Sequence, residues 1–480
     1  MTETPPSTIR PKTRVASGGF AYDAGALTCQ GLSVRDVVEG TGSPCYVYDA
    51  EGIRERLGEI RSALSPVRAE VCFAVKACPN LGVLRTLVEG GSGMDVVTVG
   101  ELERAWLAGV PMPKVTFAGV AKGEHEIRAA LDGSHSPLAG EPARSLCGRD
   151  PATRGPIGLF NCESAEELET IARVAREVGV EAPVAIRVNP GVTAGANNKV
   201  RVGATGSKFG VTPAEALDLA ERARGLSGVR FRGLHLHLGS QIDSMECFDE
   251  AFDVIARLMD AIEARGIPVE VFDAGGGIAV SYLGEPAPTD ADWCASLRRA
   301  FGRRVRDGMK LIVEPGREIV AQAGVLVTRV RRVKRSGGRV IVVCDAGLNA
   351  LVRPAMYGAQ HMIWPVNAPI SLDPIAPPDS DAGLERVDVV GPVCESSDIF
   401  ARDWAMPPVR EGDLLAVFTA GAYGMSMAMT FNDLPLPAEI LIDEGRATVV
   451  RAHQTFADLM APTAHALRAM DEAPQQAGPR

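Results

Sequence analysis

Between Tyr46 and about Pro315 the sequence alternates, with little interruption, between short apolar runs and amphipathic stretches. Short runs rich in β-branched residues and bounded by Gly, Pro or Asn read as strands. Apolar residues at three- and four-residue spacing read as helices. Strands are predicted at Glu70–Ala77, Met94–Thr98, Lys114–Gly119, Ile157–Cys162, Val184–Asn189, Gly233–Gly239, Val269–Gly275 and Lys310–Glu314. Helical patterns lie between them at Asn80–Glu89, Gly100–Ala108, Ala165–Val178, Pro213–Arg224 and Cys247–Arg265. Roughly eight such units predict an α/β fold, a (β/α)₈ barrel. The competing architecture, a doubly wound open sheet, usually has fewer strands and a G-x-G-x-x-G turn after the first. No such turn follows the run that ends at Lys76.

After Arg317 the rhythm changes to strand-like runs at Gly324–Val333, Arg339–Asp345, Val387–Val390, Leu414–Thr419, Glu439–Ile442 and Ala447–Val450. These predict a β-rich domain, sandwich- or barrel-like, over residues 314–470 together with 16–45, where Ala21–Leu32 also reads as strands. The barrel, residues 46–313, is then an insertion into that domain. Residues 1–15, rich in Pro, Thr and basic side chains, read as a disordered leader, and 471–480 as a disordered tail. Asp132–Pro156, rich in Gly, Pro, Ser and Arg, reads as a surface insertion.

With 46% hydrophobic and 23% charged residues, the 480-residue chain has the composition of a soluble globular protein. A net charge of −10 argues against non-specific nucleic-acid binding. Ten cysteines without C-x-x-C or metal-type spacing read as reduced thiols of a cytoplasmic protein, and no metal is expected. No apolar run has membrane-spanning length and no signal-peptide pattern opens the chain, so no membrane partner is expected.

Barrel active sites lie at the C-terminal ends of the strands. There the sequence delivers Lys76, Asp95, Glu163, Arg187 with Asn189, His237 with Ser240, Gly275-Gly276-Gly277, and Glu314 with Arg317. Stability requires no such concentration of polar groups at one rim. Lys76 ends a run of five apolar residues, so it either snorkels to the surface or is held there for its amine. Three successive glycines either make a tight turn or let backbone amides approach an anion. Phosphate sites in barrels favour the loops after strands seven and eight, and Glu314-Pro315-Gly316-Arg317 adds another glycine and a guanidinium there. An amine, a phosphate cradle and an acid on one rim are what pyridoxal 5′-phosphate requires. Glu314 is the candidate acid for the pyridine nitrogen. His237 could stack on the ring, and His235 reads as a packed core residue.

The motifs AVKACPN (74–80), GMDVVTVGEL (93–102), NCESAEEL (161–168), HLHLGSQ (235–241), DAGGG (273–277), EPGR (314–317), DAGLNALVRPAMY (345–357), GPVCESSD (391–398) and AGAYGMSM (420–427) carry a specific resemblance. In order, and across nearly the whole ordered chain, they resemble the alanine-racemase-like, fold-type III family of pyridoxal-phosphate decarboxylases, and within it the diaminopimelate decarboxylases. The resemblance implies that Lys76 is the Schiff-base lysine and that His237 stacks on the cofactor. Ser240 with Gly275, Gly276 and Gly277 would hold the phosphate, and Glu314 would meet the pyridine nitrogen. Asp95, Arg187, Gly316, Arg317 and Tyr423 complete the expected cofactor contacts. Cys394 would reprotonate the α-carbon, reaching the partner subunit's site in a homodimer. Arg317, Arg353 and Tyr357 would hold the distal carboxylate of the substrate, Glu395 would read its distal ammonium, and Tyr423 would touch substrate as well as cofactor.

The implied reaction is decarboxylation of meso-2,6-diaminopimelate to L-lysine, the last step of lysine biosynthesis. The sequence departs from the family in four places. The loop after Arg187-Val-Asn-Pro lacks the usual histidine and reads Ala194-Gly-Ala-Asn-Asn198. Thr419 and Met425 flank Tyr423, Leu434 and Leu436 replace arginines, and Glu318 follows EPGR where a small residue is common. A decarboxylase of a related acidic, modified or carrier-tethered amino acid is therefore the alternative. A racemase suits Cys394 and the paired arginines less well, and a non-catalytic cofactor-binding protein would not need the β domain.

Overall fold

A computed structural model describes residues 19–138, 148, 154–192, 207–369 and 383–472. The expected leader, most of the expected tail, the middle of the Asp132–Pro156 insertion and the Ala194–Asn198 loop lie outside the described residues.

All eight predicted barrel strands form, at Glu70–Ala74, Gly93–Val96, Val115–Phe117, Leu159–Cys162, Ala182–Arg187, Val229–His235, Val271–Asp273 and Lys310–Val313. Each pairs in parallel with the next, and the eighth closes on the first through Ile312–Glu70 and Val313–Val71. The helices between them start where the sequence supplies a cap. Asn80 accepts from the amides of Gly82 and Val83, Ser164 from Glu167, and Thr212 with Glu215 forms a capping box before Pro213. These caps fix where each strand-end loop stops, and so where the rim side chains project. Helices Ala50–Leu64, Glu124–Leu131 and Asp290–Arg306 complete the outer ring. At the far end of the insertion, buried Arg154 makes a two-pronged bond to Glu103 at 3.1 and 2.9 Å.

The second body is a nine-stranded sheet, strongly branched at the long strand Gly324–Ser336. That strand pairs with Arg339–Cys344, Leu414–Val417 and Cys45–Asp49. Every residue of Cys45–Asp49 is buried, and the strand also pairs in parallel with Ala438–Asp443. The sequence boundary at residue 46 cuts through this strand, whereas its hydrogen bonds place it wholly in the sheet. The barrel thus begins with helix Ala50–Leu64, and it sits between two strands of one sheet. Ala21–Leu32 does form strands, but as a separate three-stranded sheet, tied on by Leu27 N to Val366 O at 2.8 Å and Ala368 N to Gly25 O at 2.8 Å. Strands Ile363–Pro365 and Ile399–Met406 were not expected.

Candidate active site

The first barrel strand ends at Ala74 in a tight turn, Val75–Ala77, which turns Lys76 into a cavity of about 1020 Å³ at the C-terminal rim. The EPGR loop is seated against this turn. Ala74 N donates to Pro315 O at 3.1 Å, and a Cβ on Gly316 would lie 3.0 Å from the Ala74 methyl. Lys76 Nζ donates to Asp95 Oδ2 at 2.7 Å. Burial works against the lysine charge, but the carboxylates of Asp95 and Glu314 outweigh it and raise the Lys76 pKa. Burial, with the Glu314 charge, lifts Asp95 to about 7. Asp95 Oδ1 is buried without a partner among the described residues. The two form an ion pair with one carboxylate oxygen to spare.

Below it the barrel holds a fully buried polar floor. Glu314 Oε1 accepts from Thr116 Oγ1 and Asn161 Nδ2, each at 3.3 Å, and Oε2 lies 3.4 Å from His235 Nε2. Asn161 Nδ2 also reaches Asp273 Oδ2 at 3.2 Å. Burial penalises the Glu314 charge, yet His235, Lys76 and Asp273 more than compensate, so Glu314 titrates below the usual carboxylate range. Asp273 is pushed well above that range, by burial and by the Glu314 charge. One acid is thus kept ionised by holding its neighbour neutral. His235 is packed as expected, but it packs against Glu314. Thr116 lies outside every quoted motif, and Asn161 opens NCESAEEL without a role being assigned to it there.

His237 is half-buried at the cavity, where its Nδ1 accepts from Gly276 N at 3.4 Å. Burial, then Lys76 and Arg187, hold it well below its ordinary value, so it is a neutral ring. A Cβ on Gly275, Gly276 or Gly277 would lie 2.3, 2.2 or 2.0 Å from a backbone oxygen. Gly275 and Gly277 have φ of +65° and +106°. Only glycine fits this loop. Two of its neighbours are anchored from the next loop, since Arg317 Nη2 donates to Ser240 Oγ at 2.9 Å and Nη1 to Tyr282 Oη at 2.7 Å. The Arg317 guanidinium also lies 4.7 Å over the Tyr423 ring. Arg187 is salt-bridged to Glu163 at 2.5 Å and lies 4.6 Å from the Phe209 ring.

Arg353 is buried with its guanidinium 4.7 Å over the Tyr282 ring. Its Nη1 donates to His361 Nε2 at 2.9 Å, and His361 Nδ1 donates to Phe418 O at 2.9 Å. Burial, then the Arg353 charge, depress His361 to about 3, which keeps it neutral and able to accept. Tyr282 and His361 were missed in the sequence because neither lies in a recognisable motif. Tyr357 lines the same cavity. Tyr423 has φ +55° and Thr419 φ +55°, a strained backbone for a β-branched residue.

Cys394 and Glu395 are not part of this cavity. Both are exposed on the β domain, and Cys394 Sγ lies 3.4 Å from Asn432 Nδ2. Among the described cysteines Cys394 alone is exposed.

Sequence comparison accords with this geometry. The family described as pyridoxal-dependent decarboxylase, pyridoxal binding domain, matches residues 50–321. The chain is 38% identical over 444 residues to the diaminopimelate decarboxylase of Pseudomonas aeruginosa, covering 92% of this chain and 98% of the relative. It is 35% identical over 450 residues to that of Zymomonas mobilis, covering 92% and 97%. Among solved structures, the diaminopimelate decarboxylase from M. jannaschii in complex with L-lysine aligns with a TM-score of 0.81 at 30% identity, covering 93% of this chain and 98% of that one. The Helicobacter pylori enzyme with L-lysine aligns with a TM-score of 0.78 at 31% identity, covering 90% and 99%. With a lysine, a glycine cradle and a buried acid on one barrel rim, and relatives matched over nearly their full length, this chain belongs to the pyridoxal-dependent decarboxylases, in the diaminopimelate decarboxylase family.

Proposed function

We propose that this chain, with pyridoxal 5′-phosphate, decarboxylates meso-2,6-diaminopimelate to L-lysine and carbon dioxide. The observation that carries the reading is one cavity holding both the Lys76 amine and two guanidiniums, Arg317 and Arg353. A single distal ammonium would be repelled there, whereas a distal carboxylate finds two donors.

The residues present fit the cofactor. The glycine loop leaves no room for side chains, the Asp95 Oδ1 acceptor is unsatisfied, and Glu314 is kept ionised where a protonated ring nitrogen needs an anion. Ser240, Gly275, Gly276, Gly277, Gly316 and Arg317 would hold the phosphate, with Asp95, Arg187 and Tyr423 around the rest and His237 against the ring face. When bound, the cofactor supplies an electron sink for the pair left behind as carbon dioxide departs. The chain does the rest. Asp95 holds the charged Lys76 amine in place at the rim, its Oδ2 accepting at 2.7 Å. Glu314 holds the proton on the pyridine nitrogen. Arg353, Tyr357 and Arg317 grip the distal carboxylate, and Glu395, outside its own chain's cavity, would reach the distal ammonium from a second copy.

The bond from the α-carbon to its carboxylate breaks, and the Cys394 thiol then gives its proton to that carbon. Because Cys394 is exposed and away from its own chain's cavity, we assign it to the cavity of a second copy in a homodimer, in the cytoplasm. Purified protein given cofactor and meso-diaminopimelate is expected to yield lysine and carbon dioxide in equal amounts. Bound cofactor without lysine would refute the substrate and favour a modified or carrier-tethered amino acid. Cys394→Ala should bind cofactor normally and lose most turnover. Mixing it with Lys76→Ala should restore about a quarter of wild-type activity if the sites are shared, and none if each chain acts alone.

A further inference from the structure

Glu318, directly after Arg317, is a carboxylate that the proposed reaction does not use. It is only 5% exposed. Its Oε1 accepts from Gly277 N at 3.2 Å and its Oε2 from Gly316 N at 3.1 Å. One carboxylate thus bridges the loops after the seventh and eighth strands, at the place where a barrel holds a phosphate. Each backbone amide has a single hydrogen. An amide that serves Glu318 cannot serve a phosphate oxygen in the same direction. Glycine is required at both positions by close approach, since a Cβ on Gly277 would meet Gly239 O and one on Gly316 the Ala74 methyl.

We infer that Glu318 is an internal anion of the phosphate cradle, whose carboxylate holds the Gly277 and Gly316 amides until the cofactor's phosphate takes them over. The inference rests on the cofactor-dependent reading above and adds to it a residue that sets cofactor affinity. Two anions compete for two donors, so the carboxylate opposes the phosphate both by occupying its partners and by its charge. The groups facing it are few. Arg317 favours its charge, Tyr423 is a neutral neighbour, and Arg56, itself paired with Asp290, donates to the Glu318 main-chain oxygen at 3.0 Å. Burial raises the Glu318 pKa, which makes a proton from solvent the means of releasing the two amides. Phosphate binding is therefore coupled to proton uptake at Glu318, a contribution to affinity that falls as pH rises.

The test is the affinity of the full-length apo-protein for pyridoxal 5′-phosphate and for pyridoxal, which lacks the phosphate, in wild type, Glu318→Gln and Glu318→Ala. Both variants should bind the phosphorylated form roughly ten-fold tighter or more, with pyridoxal affinity nearly unchanged. The fall of phosphate-form affinity with pH should be shallower in Glu318→Gln than in wild type. An unchanged ratio of the two affinities, or a parallel change in both, would overturn the inference while leaving the cofactor reading intact. If wild type binds neither compound, the cofactor reading fails and the inference with it. Should Glu318→Ala fail to fold, the isosteric Glu318→Gln alone decides.

Discussion

The floor and the mouth of the cavity are built from opposite charges and solve opposite problems. The floor stacks Asp95, Asp273 and Glu314 inside the barrel, all at most 3% exposed, with Lys76, Asn161, Thr116 and His235 as their partners. Its acids cannot all be ionised, so protons are parcelled out: Asp273 neutral, Asp95 near neutrality, Glu314 charged. The mouth sets Arg317 against the Tyr282 hydroxyl and Arg353 over the Tyr282 ring, and backs Arg353 with a neutral histidine. Here the charges are fixed and the aromatic surfaces orient them. A floor of that kind serves proton and electron movement, whereas a mouth of this kind serves recognition. Substitutions in the two regions should therefore separate in their kinetics.

The largest effect belongs to the floor. Lys76→Ala should lower kcat about a thousand-fold or more while apo-protein still takes up cofactor through the glycine cradle. Next, Glu314→Gln should reduce kcat by about a hundred-fold with KM for meso-diaminopimelate nearly constant, because the lost charge is needed in the reacting state. Steady-state kinetics checks both. If Glu314→Gln moved KM and spared kcat, the floor would be a binding device and the comparison would fail. In the mouth, Arg353→Met should raise KM by roughly ten- to a hundred-fold with kcat within a few-fold, the loss of one charge-assisted pair.

The smallest effect concerns stability and is specific to the mouth. His361 is neutral when folded, with its pKa depressed to about 3, while in the unfolded chain it protonates near its ordinary value. Below that value the unfolded state binds a proton that the folded state refuses, so stability is lost as pH falls toward 3. By pH 5 this costs about 2 kcal/mol relative to neutral pH. Urea unfolding at pH 7 and pH 5 should show a smaller acid loss in His361→Gln than in wild type. Equal losses would mean that His361 is not the group responsible.

The barrel was legible because its strands announce themselves locally: each is a short apolar run with a turn signal, and Lys76, Asp95 and Glu314 fall at or beside the ends of theirs. Membership in the β domain was harder. Cys45–Asp49 looks like one more barrel strand, and only its distant partners Leu326 and Glu439 assign it to the sheet. Strand Ile399–Met406 was hidden by Arg402 and Asp403, which sit on its exposed stretch. Within the site, motif residues were found and their supports were not. Tyr282 and His361 join Arg317 and Arg353 only through tertiary packing, so no local spacing marks them. The triple glycine showed its purpose only in part, because nothing in the sequence says that Glu318 bonds two amides of the cradle.

The cationic mouth is expected to select a substrate with a second carboxylate. The most direct measurement is the ratio of kcat/KM for meso-diaminopimelate to that for D-lysine, which keeps the configuration of the reacting carbon and lacks the distal carboxylate. Two guanidiniums left without a partner predict a preference of about a thousand-fold or more for meso-diaminopimelate. Decarboxylation of D-lysine with comparable efficiency would contradict that selection.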